Sequence, residues 1–177
     1  VDSYEMADGS KFSWDNPQQA AYPYQNRDPR FYASIMYNGS YWRQRPDDTV
    51  GSDPEGIVQT AYYQQSDGSY TPGLDTRQGP IEDWNGSYTG YYMRKFNNYK
   101  SGIGQDADGL MRIYRLAELY LNFAEAAYQA VGPDIPVVSK VGAESLSARD
   151  AINKIRVRVG MPELSAGMSK EIFEKRY

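Results

Sequence analysis

The segment Met111–Val131 constrains the fold more than any other part of this chain. Its apolar residues recur at intervals of three and four, which is the spacing of one face of an α-helix. They are Ile113, Leu116, Ala117, Tyr120, Phe123, Ala124, Ala127 and Val131. Asp106 or Asp108 is suited to cap the start, and Gly132 with Pro133 predicts the end. The pattern therefore predicts an amphipathic helix that buries this apolar stripe against other elements.

A line of polar residues runs beside the apolar stripe on the same predicted helix. It consists of Arg115, Glu118, Asn122 and Glu125. On an exposed face these side chains would form a solvated flank. Burial would instead require them to hydrogen-bond one another or another segment. The sequence leaves both alternatives open.

Two short strands are predicted on either side of a long polar stretch. In Phe31–Trp42, apolar residues occupy every second position up to the turn pair Asn38–Gly39. This pattern indicates a strand that ends in a turn, although a short helix fits it as well. Thr89–Phe96 is predicted as the second strand. Between them, Arg43–Ser87 is rich in Gly, Pro and Asp and contains large aromatic residues. Loops of this length in a compact domain are usually functional or disordered, and the aromatic residues argue against disorder.

Two more helices are predicted after the central one. Leu146–Gly160 carries a second apolar stripe, with Ser147 as its N-cap and Asp150 three residues further on. Another helix begins at Ser169. Successive helices of this kind indicate a scaffold of packed helix pairs.

The composition excludes several classes of function. The net charge of −4 and the pI near 4.9 argue against nucleic acid as a partner. The absence of Cys and His removes the thiol nucleophile and the usual general base, and it removes the commonest metal ligands. Asp106–Gly109 begins like a calcium-binding loop, but no Glu follows at the spacing that an EF-hand needs, so a helix cap is favoured there. We predict no cofactor and no metal site. The 17 tyrosines and 3 tryptophans instead favour a recognition surface, because these side chains combine an apolar face with a polar tip.

Four phrases of the sequence together resemble one protein family. They are DPRFYASIMYNG (Asp28–Gly39), GYYMRKF (Gly90–Phe96), YRLAELYLNFAEA (Tyr114–Ala126) and INKIRVRVGMPEL (Ile152–Leu164). In this order and spacing they resemble the C-terminal part of SusD/RagB-type outer-membrane nutrient-binding lipoproteins of the Bacteroidetes.

This resemblance implies a mainly α-helical, SusD-like fold with TPR-like helix pairs, long irregular loops and a few short strands. Residues 1–177 would be the C-terminal portion of a SusD-like domain, with a loop-rich ligand face in residues 1–110 and a helical scaffold in residues 111–177. The N-terminal part, with its lipid anchor, and the final helices would lie outside this sequence. The polar line of the central helix would then be structural, joining the helix to the layer of strands and loops.

The resemblance also implies a function without catalysis. The protein would bind oligosaccharides or polysaccharides at the surface of the cell outer membrane and deliver them to a SusC-like, TonB-dependent transporter. A TPR-like module that binds protein or peptide, for peptide uptake, is the alternative. A carboxylate-based glycosidase is a weaker one, because adjacent acidic residues such as Asp47 and Asp48 seldom point at the same glycosidic bond.

The resemblance implies that the ligand site lies where the family varies, in Tyr41–Tyr88. Within this region residue type alone selects the candidates, because sugar rings stack on flat aromatic side chains and their hydroxyl groups need polar partners. The predicted aromatic platform consists of Trp84, Trp42, Tyr62, Tyr63 and Tyr70, and the predicted polar contacts are Arg43, Arg45, Asp83 and Asn85. Each aromatic residue could instead pin a loop to the scaffold. The identity of the glycan does not follow from the sequence.

Overall fold

The computed structural model describes residues 1–43, 55–80, 86–97, 113–142 and 144–176. The helices in these ranges are α1 (Pro17–Ala21), α2 (Pro29–Ser34), α3 (Leu116–Val131), α4 (Ala148–Arg158) and α5 (Lys170–Glu174). The short strands form three antiparallel pairs: β1 (Ile35–Met36) with β4 (Tyr92–Met93), β2 (Tyr62–Gln64) with β3 (Tyr70–Pro72), and β5 (Val137–Val138) with β6 (Ser145–Leu146). Regular structure is thus mainly helical. Among these helices, none has the length and apolar character needed to cross a membrane.

The chain divides into two compact units. One contains residue 1, residues 17–25 and residues 30–110, and the other contains residues 2–16, 26–29 and 111–177. Strands β1 to β4 therefore belong to the first unit, which we call the strand-loop unit. Helices α3, α4 and α5 belong to the second, which we call the helical unit.

Helix α3 starts later than the sequence predicts. It begins at Leu116 rather than Met111, and Arg115 before it has an extended backbone with φ −132° and ψ 150°. Ile113 and Tyr114 are exposed, so extending the helix to include them would bury no apolar surface against the described residues. The predicted capping residues at positions 106 and 108 lie outside the described ranges.

The end of α3 is confirmed. Gly132 has φ 92°, a conformation that favours glycine, and its N–H donates to the carbonyl of Tyr128. The apolar stripe, however, is buried only in part. Ala124 and Ala127 are buried, whereas Leu116 and Val131 are exposed. The residues of α3 that join the core run from Tyr120 to Tyr128, so both ends of the stripe stay exposed.

The polar line of α3 is exposed along its whole length. Asn122 donates to the hydroxyl of Tyr114 at 3.0 Å. These residues therefore form a solvated flank in the described structure.

Helices α3 and α4 form an antiparallel pair around the core of the helical unit. The backbone N–H of Arg149 donates to the carbonyl of Pro133 at 3.0 Å, and the ammonium of Lys154 lies 5.9 Å from the ring centroid of Tyr120. The end of one helix thus meets the start of the other. The core consists of Ala124, Ala127, Tyr128, Ala148, Ala151, Ile152, Leu164 and Phe173.

The predicted starts of α4 and α5 are confirmed. The Ser147 hydroxyl accepts from the N–H of Asp150, whose carboxylate accepts in turn from the N–H of Ser147, which forms a capping box. Ser169 caps α5 by accepting from the N–H of Ile172. Leu146, which precedes the predicted N-cap, lies in strand β6 and packs against the core from there.

A carboxylate from the N-terminal segment holds two arginines of the helical unit. Glu5 accepts from Arg156 at 2.7 Å through one oxygen and from Arg176 at 2.9 Å and 3.0 Å through the other. Arg156 also donates to the carbonyl of Pro162 at 2.7 Å. The Glu5 side chain is only 11% exposed and that of Arg156 only 4%. These contacts fasten residues 2–16 to α4 and to the end of α5.

A second ion pair joins the loop after α3 to the first turn of α4. Arg149 is buried and donates to both oxygens of Asp134, at 2.9 Å to Oδ2, and also to the carbonyl of Ser165. The hydrogen bonds from Arg149 hold the pKa of the Asp134 carboxyl below its usual range, and its partial desolvation opposes them. The carboxylate form is therefore the one that the fold favours.

We expect Asp134→Asn to lower the stability of the full-length protein by about 1 kcal/mol at pH 7. A hydrogen bond to a charged group contributes more than this, but the Asp134 side chain is 46% exposed and solvent screens the pair. Because the pKa of Asp134 is lower in the folded state, its contribution is complete above the unfolded value and is lost as the pH falls through the folded value. The difference in unfolding midpoint between wild type and variant should therefore shrink below about pH 4. A constant difference from pH 7 to pH 3 would contradict this explanation.

The first predicted strand, Phe31–Trp42, is in fact a short helix followed by a short strand. Helix α2 ends at Ser34, and β1 pairs in register with β4, so that Ile35 faces Met93. Both alternatives left by the sequence thus occur in succession. The predicted turn at Asn38–Gly39 is confirmed by a φ of 85° at Gly39.

Aromatic side chains form the interior of the strand-loop unit. Phe31 is fully buried, and its ring lies 5.3 Å from that of Tyr37 and 6.2 Å from that of Tyr24. The hydroxyls of Tyr24 and Tyr91 lie 3.3 Å apart. Burial and this hydrogen bond raise the pKa of Tyr24, so its hydroxyl stays neutral. A large part of the aromatic content predicted to serve recognition is therefore structural.

Candidate functional site

The β2–β3 hairpin presents two tyrosines on one exposed face. Tyr62 pairs with Pro72, and Gln64 pairs with Tyr70. Directly paired residues share a face of an antiparallel sheet, and alternate residues of one strand do so as well. Tyr62, Gln64 and Tyr70 therefore lie on the same side, where Tyr62 is 49% exposed and Tyr70 is 63% exposed. We call this surface the hairpin face.

Tyr63 lies on the opposite side of the hairpin. Its hydroxyl donates to the side-chain oxygen of Asn38 at 3.0 Å. The same oxygen accepts from the backbone N–H groups of Thr60 and Ala61, at 2.9 Å and 3.0 Å. Asn38 thus fixes the base of the hairpin, and Tyr63 is an anchor for it.

The base of the hairpin is closely packed. The N–H of Gly73 donates to the carbonyl of Ala61, and a Cβ at this glycine would lie 2.5 Å from the carbonyl oxygen of Gln59. No other residue would fit there without a backbone shift. Asp75 closes the next turn, because its carboxylate accepts from the N–H of Gln59 and its own N–H donates to the carbonyl of Gln59. The backbone below the hairpin face is therefore tightly constrained.

The tip of the hairpin carries a fixed negative charge. Asp67 accepts from the hydroxyl of Ser69 at 2.6 Å and from its N–H at 2.9 Å. These hydrogen bonds hold the pKa of Asp67 below its usual range. Gly68 has φ 83°, which completes the turn.

Trp42 and Arg43 follow the bridge between Tyr41 and Ile57, outside the hairpin. Trp42 is half-buried, and the guanidinium of Arg94 lies 5.4 Å from its ring centroid. Arg94 also donates to the carbonyl of Tyr41 at 3.0 Å. Trp42 therefore has a structural partner on its ring, and a ligand contact for it stays a prediction, as it does for Arg43.

Four further residues of the predicted site fall outside the described ranges. They are Arg45, Asp83, Trp84 and Asn85. In the described ranges, no group of three or more acidic residues is arranged to hold a metal ion. Of the five predicted contacts that the structure describes, it brings Tyr62 and Tyr70 together on one face.

Tyr88 is a further exposed aromatic residue of the loop region, and it is not among the predicted contacts. It is 86% exposed, and the guanidinium of Arg77 lies 3.9 Å from its ring centroid. The flanking residues Ser87 and Thr89 are the signal that could have indicated a turn at this point, since short hydroxyl side chains favour turns.

Comparison with known proteins decides the family. The model of the SusD family matches residues 1–174. The chain belongs to the SusD family. The resemblance predicted from the four sequence phrases is thus confirmed.

Two solved structures, both from Bacteroides fragilis, show the same SusD-like fold. One is a SusD-like protein with 27% identity and a TM-score of 0.56, and the other is a SusD-like carbohydrate-binding protein with 24% identity and a TM-score of 0.61. Each match covers 99% of this chain but only 31% and 30% of the respective structures. This SusD-family chain therefore spans about a third of their length. A comparison with curated proteins gave no match.

Proposed function

We propose that this SusD-family chain forms part of a protein that binds glycans at the bacterial cell surface without cleaving them. The observation that carries the proposal is the hairpin face, where Tyr62 and Tyr70 are exposed at diagonal positions on the same side as Gln64. The carbohydrate-binding relative with the same fold supports it.

The chemistry of the hairpin face fits a sugar chain. Diagonal positions on a hairpin lie roughly 7–8 Å apart, so two adjacent rings can contact successive parts of an extended ligand. Each tyrosine offers an apolar ring to the C–H face of a sugar and a hydroxyl to its edge. The amide of Gln64 can both donate to and accept from sugar hydroxyls. An extended oligosaccharide therefore suits the hairpin face better than a single sugar.

The described acidic residues near the hairpin favour binding over hydrolysis. Glycosidases need two carboxyl groups that flank the scissile bond. Asp67 instead accepts from Ser69 in the turn, and Asp75 accepts from the backbone of Gln59. Both carboxylates are thus engaged in holding the loops.

The wider role follows from the family and is part of the same proposal. The full-length protein would be attached to the outer membrane by an N-terminal lipid and would deliver glycans to a SusC-like, TonB-dependent transporter. TPR-like helix pairs would form its scaffold, and the antiparallel pair of α3 and α4 supports this. The peptide-binding alternative gains no such support.

Affinity gel electrophoresis of the full-length protein with a panel of soluble polysaccharides tests the proposal. We expect retention by at least one polysaccharide, with no released products on chromatography of the mixture after long incubation. Retention with product release would show a hydrolase instead. Migration unchanged by every polysaccharide would contradict glycan binding.

A further inference from the structure

Tyr88 is held in an exposed position by an ordered loop. The N–H of Ser87 donates to the hydroxyl of Tyr92 at 2.9 Å, and this hydroxyl donates to the carbonyl of Asp75 at 2.7 Å. The Ser87 hydroxyl donates to the carbonyl of Tyr91 at 2.8 Å and accepts from the N–H of Thr89 at 3.1 Å. The residues on both sides of Tyr88 are thus fixed while its ring stays 86% exposed.

The same loop is fixed against the backbone of Arg77. A Cβ at Gly86 would lie 2.5 Å from the backbone nitrogen and Cα of Arg77, so this position accepts only glycine without a shift. Gly90 at the other end of the loop has φ 76°. The backbones that carry Arg77 and Tyr88 are therefore positioned before any ligand arrives.

Arg77 has charge and hydrogen-bond donors to offer. Its guanidinium carbon lies 3.9 Å from the ring centroid of Tyr88, which is a cation–π contact. In the part of the chain that the structure describes, no carboxylate or carbonyl accepts a hydrogen bond from Arg77, whereas Arg94 donates to a carbonyl. The five N–H donors of a guanidinium lie in its plane, so a guanidinium that stacks on a ring can still donate to a ligand through its edge.

We propose that Arg77 and Tyr88 form a second ligand subsite that binds an anionic sugar residue. Such a residue carries a carboxylate or a sulfate on a ring that is otherwise apolar on its C–H face. The guanidinium edge fits the two oxygens of the anion, and the face of the Tyr88 ring that Arg77 does not cover fits an apolar sugar face. This inference rests on the proposed glycan binding and specifies the class of glycan.

Paired polymers of opposite charge state test this subsite in the full-length protein. Polygalacturonic acid is compared with its neutral methyl ester, and dextran sulfate is compared with neutral dextran. We expect the wild type to bind one of the acidic polymers more tightly than its neutral partner. A preference for the acidic polymer in the first pair indicates that the subsite binds a carboxylate, and a preference in the second pair indicates a sulfate.

Arg77→Gln is expected to lower affinity for the preferred acidic polymer about fivefold to tenfold, because charge-assisted hydrogen bonds are lost. The same substitution should leave affinity for neutral polymers unchanged. It should also make binding of the acidic polymer less sensitive to salt concentration. Arg77→Lys keeps the charge but not the planar fork of donors, so we expect a partial loss. Lys95→Gln is the matched control, since Lys95 is an exposed cation that also lies near an aromatic ring, at 5.1 Å from Phe96.

Three results overturn the subsite. The first is equal binding of the acidic and neutral polymers by the wild type. The second is an equal loss of affinity in Lys95→Gln and Arg77→Gln, which would indicate that binding depends only on the overall charge of the strand-loop unit. The third is no retention by any polysaccharide, which would overturn the proposed function as well. The first two leave glycan binding itself intact.

Discussion

Replacing Glu5 with Ala is expected to lower the free energy of unfolding of the full-length protein by about 3–5 kcal/mol. The change leaves two arginines without their carboxylate. The Arg156 side chain is only 4% exposed and would keep a single described acceptor, the carbonyl of Pro162. An uncompensated buried charge has a large desolvation cost. Urea unfolding followed by circular dichroism or tryptophan fluorescence measures the change.

Glu171→Ala is the matched control for this prediction. Glu171 pairs with Lys175, the residue that caps the end of α5, and both side chains are exposed. We expect its loss to cost no more than about 0.5 kcal/mol, the usual contribution of such a pair on a helix surface. If both variants lose the same small amount of unfolding free energy, the ion pairs of Glu5 do not behave as buried ones. A double-mutant cycle with Arg156→Met should also give a coupling energy well above zero.

Local signals predicted the parts of the fold that depend on neighbouring residues. Ser147 and Asp150 lie three residues apart, and the capping box that they form needs nothing from the rest of the chain. Gly132 likewise ends α3 through its own backbone conformation. The predicted start of α3 was wrong because the apolar periodicity continues through Ile113. Periodicity contains no information about which partner elements will cover the apolar residues.

Long-range contacts could not be predicted in the same way. Glu5 lies 151 residues from Arg156 and 171 residues from Arg176, so no periodicity relates them. The aromatic residues posed a similar difficulty. Tyr24 and Tyr37 are half-buried and pack against each other, while Tyr62 and Tyr70 are exposed. Residue type identified the class of side chain but not its environment.

The candidate site depended on strand register. The sequence predicted Tyr62, Tyr63 and Tyr70 as equivalent members of a platform, without a strand at any of them. The pairing of Gln64 with Tyr70 puts Tyr63 on the other side, where Asn38 accepts from its hydroxyl. A shift of one residue in register would exchange the two faces. The division of the three tyrosines between the two faces is thus a property of the hairpin.

Removing both rings of the hairpin face is expected to have the largest effect on ligand binding. Tyr62→Ala and Tyr70→Ala should each weaken affinity for the preferred polysaccharide about tenfold, and the double variant about a hundredfold. The reason is that each ring covers a different part of an extended ligand, so the losses add in free energy. Isothermal titration calorimetry with a defined oligosaccharide of that polymer measures all three variants. Single-sugar ligands should show little binding to any of them.

Two controls separate this effect from loss of structure or of exposed aromatic surface in general. Tyr22→Ala removes a tyrosine that is 62% exposed, as Tyr70 is at 63%, from a position outside the hairpin, and it should leave affinity unchanged. Tyr63→Phe removes only the hydrogen bond to Asn38, so it should lower the unfolding midpoint slightly and affect binding much less than Tyr62→Ala. If Tyr22→Ala weakens binding as much as Tyr70→Ala does, the ligand does not select the hairpin face. If the double variant binds like the wild type, the platform lies elsewhere in the chain, and the predicted contact at Trp84 becomes the next one to test.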